Sequence, residues 1–85
     1  MPGATSPWRV NDVVAYDLMR EAAATVFALL QTIARAGGAE ADAARDELAR
    51  LRREVLAVDA YDRTAVDALA STIHRRMREL EERAG

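Results

Sequence analysis

From Ala41 onward the apolar residues keep the three-four spacing of an α-helix almost to the end of the chain. They run first as Ala41, Ala44, Leu48, Leu51, Val55 and Val58, and then as Val66, Ala70, Ile73, Met77, Leu80 and Ala84. Residues so spaced fall on one side of a helix, and a side of this kind is buried against another helix. A strand would need alternation at every second residue. The expected class is therefore all-α: a three-helix bundle or helical hairpin with a long first helix, assembled as a helical dimer.

The boundaries follow from capping chemistry. Residues 1–10 read as a flexible tail, because Met1 to Pro7 mixes Pro, Gly, Thr and Ser without periodicity. Residues 11–85 read as one helical domain. A first helix over about 11–36 opens with Asn11 as N-cap and Asp12 at the positive end of the helix dipole, with Ser6 before Pro7 as an alternative, earlier start. It closes at Gly37 and Gly38, which can take the left-handed conformation. A second helix spans about 39–58, with Asp46, Arg50 and Glu54 spaced for i,i+4 ion pairs on its outer side. The stripe stays nearly in phase into a third helix over about 62–84, and the join holds no Gly or Pro, so one continuous helix competes with a break. The break is preferred. Asp62 would otherwise sit within the apolar stripe, where it serves better as a cap, and Tyr61 and Val66 have the spacing of a hydrophobic staple.

On the first helix, Val14, Leu18, Ala22, Val26, Leu29, Leu30 and Ile33 share one arc that includes Met19. Tyr16, Ala23, Phe27 and Ala34 widen it past half the circumference. A helix apolar over so wide an arc is central to its domain or covered by a second chain. A chain of 85 residues buries only about 60% of the surface its unfolded form exposes, and nineteen of its apolar residues are Ala, which bring little area. Association is thus expected, with Trp8, Tyr16, Met19, Ala23, Phe27 and Leu30 as interface residues.

Chemistry is sparse. There is no Cys, which removes disulfides, thiolate metal sites and Cys nucleophiles and favours a cytoplasmic setting. The longest stretch without charge, residues 22–34, is too short for the roughly 20 residues of a membrane span. His74 is the single histidine; Ala70, Ser71, Met77 and Arg78 flank it at helical spacing, so no carboxylate or imidazole shares its side of the helix. No catalytic residue, metal ligand or cofactor site is expected, and no small-molecule substrate. Arg75, Arg76 and Arg78 form the one cluster suited to phosphates or nucleic acid, yet Glu79, Glu81 and Glu82 follow at once and the net charge is −2. All twelve basic residues are Arg, which with the Ala excess looks like the coding bias of a GC-rich bacterial genome.

The segment Trp8 to Tyr16 resembles the first helix of excisionase-like winged-helix proteins over nine residues. The likeness ends where that motif needs a tight turn, since Asp17 to Ala23 is a strong helix former, and no family is assigned. The resulting expectation is a small non-catalytic protein-protein interaction module, self-associating or docking on another protein as an adaptor or antitoxin-like regulator. A small dimeric DNA-associated regulator using the three arginines is the alternative.

Overall fold

In the computed structural model, which describes residues 7–84 and side chains from residue 11, helix α1 runs over Pro7–Ala36, α2 over Ala41–Ala57 and α3 over Arg63–Ala84. No strand occurs among the described residues. The first helix begins four residues earlier than Asn11. Pro7 occupies its first position, where the missing N–H costs nothing and the fixed φ already suits a helix. The expected tail therefore shortens, and residues 1–6 lie outside the described part of the chain.

Gly37 and Gly38 end α1 at φ +75° and +88°, a region costly for residues with a Cβ. Arg45 of α2 reaches back across this turn and donates from Nη2 to the carbonyl of Ala34 at 3.2 Å, satisfying an acceptor left open at the helix end. The second break is also present. Val58 turns extended (ψ 136°), Asp59 Oδ1 accepts from the Tyr61 N–H at 2.9 Å, and Asp62 Oδ1 accepts from the Ala65 N–H at 3.1 Å. Asp62 is thus the N-cap of α3. Val66 is fully buried one turn later, whereas Tyr61 stays more than half exposed, so a staple contributes little.

The core is entirely apolar among the described residues. From α1 it takes Met19, Ala22, Ala23, Val26, Leu30 and Ala34; from α2, Ala44, Leu48, Leu51 and Val55; from α3, Val66, Ile73 and Leu80. Both shorter helices pack on α1, and their backbones scarcely meet each other. Side chains span the gap instead. Arg76 binds Glu47 through two hydrogen bonds of 2.8 and 2.9 Å, and Arg83 grips both Glu40 oxygens at 2.6 Å. These pairs set α2 antiparallel to α3. Arg63, 3.5 Å from Asp12, joins the start of α3 to the start of α1, which makes those two helices parallel. The expected ladder of Asp46, Arg50 and Glu54 does not form, as exposed side chains gain little from such pairing.

Lengths decide what is covered. At 1.5 Å per residue, α1 with 30 residues is about 45 Å long, α3 with 22 about 33 Å and α2 with 17 only about 25 Å. Because α2 starts beside the C-terminal end of α1, it runs out before reaching the first third of that helix.

Replacing Asp62 with Ala should remove one capping hydrogen bond and cost about 1 kcal/mol, read as a lower urea midpoint with an unchanged slope. A second expectation concerns acid. The hydrogen bond and charge of Arg83 hold the Glu40 carboxyl below its ordinary value, so its contribution is present above the usual carboxylate range of about 4 and is lost as pH falls through the lowered value. Unfolding curves of the native chain and Glu40→Gln should differ by a constant amount at neutral pH and converge in acid.

Candidate functional site

Among the described residues, the large apolar side chains left in solvent are Val13 (38% exposed), Val14 (52%), Leu18 (57%), Leu56 (83%) and Tyr61 (55%). All five belong to one end of the molecule: the start of α1, the last turn of α2 and the loop after it. This is the end that the short α2 fails to cover. Nothing in the hydrogen bonding demands their exposure, since no buried side-chain polar atom among the described residues lacks a partner.

The residues expected at an interface divide into three groups. Met19 (0% exposed), Ala23 (1%) and Leu30 (0%) lie within the core of the single chain and present nothing to a partner, which corrects the expectation for these three. Their stripe, continued by Val26 and Ala34, is the one that α2 and α3 both pack against. Tyr16 and Phe27 are half-buried and carry arginines: the Arg20 guanidinium stands 5.8 Å from the Tyr16 ring centroid, and that of Arg52 5.6 Å from the Phe27 centroid. The side chain of Trp8 lies outside the described residues. Conversely, Val14 and Leu18, read from the sequence as part of the core arc, face outward. Met19, Ala22, Val26 and Leu30 of the same arc are buried, so the packed centre is rotated toward Ala23 and Ala34 and away from Val14 and Leu18.

The arginine cluster is taken apart by the fold. Arg76 turns toward α2, where Glu47 and Glu79 raise its pKa above the ordinary guanidinium value, chiefly through the Glu47 hydrogen bond. Arg75 and Arg78 instead border an open depression of about 490 Å³ with Asp67, Ala70, Ser71 and His74. Every residue of that depression comes from α3, so no second element brings an acid, base or nucleophile toward His74. His74 Nδ1 lies 2.8 Å from the Ala70 carbonyl, where it acts as a donor to its own helix. No group of three metal-ligating side chains occurs among the described residues. Likewise, no described helix is long and apolar enough to cross a membrane.

Set against protein-family models, curated proteins and solved structures, the chain matches none. The reading of the site rests on its own geometry.

Two neighbours on α1 separate core from surface. Met19→Ala should cost about 2 to 5 kcal/mol as a core truncation, whereas Leu18→Ala should change the stability of the isolated chain by no more than about 0.5 kcal/mol. Chemical denaturation at low protein concentration measures both.

Proposed function

We propose that this chain is a non-catalytic helical protein-protein interaction module that joins a second copy of itself, or another protein in the manner of an adaptor or antitoxin-like regulator. The observation that carries the reading is the exposure of Val14 and Leu18, one turn apart on α1, at the end of the bundle that α2 leaves open. Monomeric proteins scatter such side chains singly; grouped ones mark binding surfaces.

The energetics favour the same reading. Val14 and Leu18 stand one turn apart on α1 and are each about half exposed, so covering them would contribute on the order of 1 kcal/mol apiece. That is a large gain for a domain whose margin is thin by virtue of its size. The core contains no buried polar or charged side chain among the described residues, and the depression beside His74 is built by one helix. Binding to nucleic acid through Arg75, Arg76 and Arg78 draws no support from the geometry, because Arg76 is already engaged by two glutamates.

Light scattering over a dilution series provides the test. The native chain should pass from twice its monomer mass toward the monomer mass on dilution, and Leu18→Glu should be monomeric throughout with unchanged helical content. A native chain that is monomeric at every concentration would reject self-association and leave docking on a different protein as the surviving form of the reading.

A further inference from the structure

Of the arginines with described side chains, Arg45, Arg63, Arg76 and Arg83 each hold a carboxylate. Arg20 and Arg52 hold none among the described residues. Each is parked over an aromatic ring instead, Arg20 on Tyr16 within α1 and Arg52 on Phe27 across the α1–α2 junction. A guanidinium lying on a ring is fixed in place while its N–H edge stays open, which is the arrangement that receives a carboxylate with two parallel hydrogen bonds.

The two stacks stand on the same flank of the molecule. Tyr16 and Phe27 are eleven positions apart on α1, which returns them to nearly the same side of the helix and separates the two stacks by a rise of about 16 Å. Leu56 follows Arg52 by one turn of α2. Since α2 runs antiparallel to α1, that turn carries Leu56 toward Arg20, between the levels of the two stacks. At 83% exposed it is the least covered large apolar side chain described. The flank therefore presents cation, apolar knob, cation over about three helical turns.

We infer that the Arg20–Leu56–Arg52 flank is a docking surface for an acidic amphipathic helix of a partner protein, bearing two carboxylates eleven residues apart with apolar residues between them. Eleven residues rise about 16 Å, the same as the separation of the two stacks, and positions four and seven after the first carboxylate face nearly the same way as both. Arginine and tyrosine are also the residue types in which binding hot spots are enriched. A polyanion fits less well: phosphates gain nothing from Leu56 or from the half-buried rings, and the chain's net charge of −2 opposes them. This surface rests on the reading of the chain as an interaction module, yet it is set apart from Val14 and Leu18 and answers to different variants.

The test uses the full chain and a fluorescent Ala-based helical peptide of about twenty residues, with Glu at two positions eleven apart and Leu at the fourth and seventh positions after the first Glu. Fluorescence anisotropy should show saturable binding that weakens as salt rises. Affinity should drop at least tenfold for the double variant Arg20→Gln, Arg52→Gln, and likewise for Leu56→Gln, while circular dichroism stays native because these side chains are exposed. A peptide with Lys in place of both Glu should not bind. Leu18→Glu should abolish self-association but leave peptide affinity unaltered, so the two surfaces fail separately. The inference is overturned if the Glu peptide does not saturate, if the variants bind it as the native chain does, or if a DNA duplex binds more tightly. It is overturned equally if the Arg20→Gln, Arg52→Gln variant loses self-association, which would make a second copy the occupant.

Discussion

One stripe of α1, made of Met19, Ala23, Val26, Leu30 and Ala34, is shared by both of the other helices, and the fold has no other common element. Neither α2 nor α3 could bury its apolar seam against the other, because their backbones scarcely meet. An amphipathic helix of either length gains most of its stability from a packed neighbour rather than from intrinsic propensity. The two short helices therefore depend on α1, and α1 in turn must be apolar over a broad arc to serve both. The width of that arc is a requirement of the topology as much as a sign of a partner.

The same geometry fixes where surface is left bare. A central helix of 30 residues flanked by one of 22 and one of 17 cannot be covered evenly, and the shortfall lies at its N-terminal third. Tyr16 and Phe27 show an intermediate solution: neither core nor free, each has an arginine guanidinium over its ring. Aromatic groups finished in this way leave charge at defined positions on the surface.

How much of this was legible in the sequence varied with the helix. The seam of α2 could be read residue by residue, since Ala41, Ala44, Leu48, Leu51 and Val55 are buried and Val58 is partly so. A narrow stripe permits one orientation. The seam of α3 read nearly as well, with Val66, Ile73 and Leu80 inside and the cap at Asp62 in place. On α1 the expected arc held four of the buried residues, Met19, Ala22, Val26 and Leu30, but not its outer members Val14 and Leu18, because Val14–Leu18 and Met19–Ala23 are both well spaced and local spacing cannot choose between them. What chose was the position of two neighbours. The pairing of Arg76 with Glu47, 29 residues away, and the separation of Arg76 from Arg75 and Arg78 follow from interhelical register, which adjacent residues do not encode. Sequence proximity made three arginines look like one patch; rotation about α3 sent them to different sides.

The seam between α2 and α3 has a mechanical consequence. Guanidinium–carboxylate clasps between exposed or half-buried side chains bridge it, Arg76 to Glu47 and Arg83 to Glu40, outside a core that both helices share with α1. Such clasps slacken in strong electrolyte, so added salt loosens the rim of the molecule while the apolar interior beneath it stays packed.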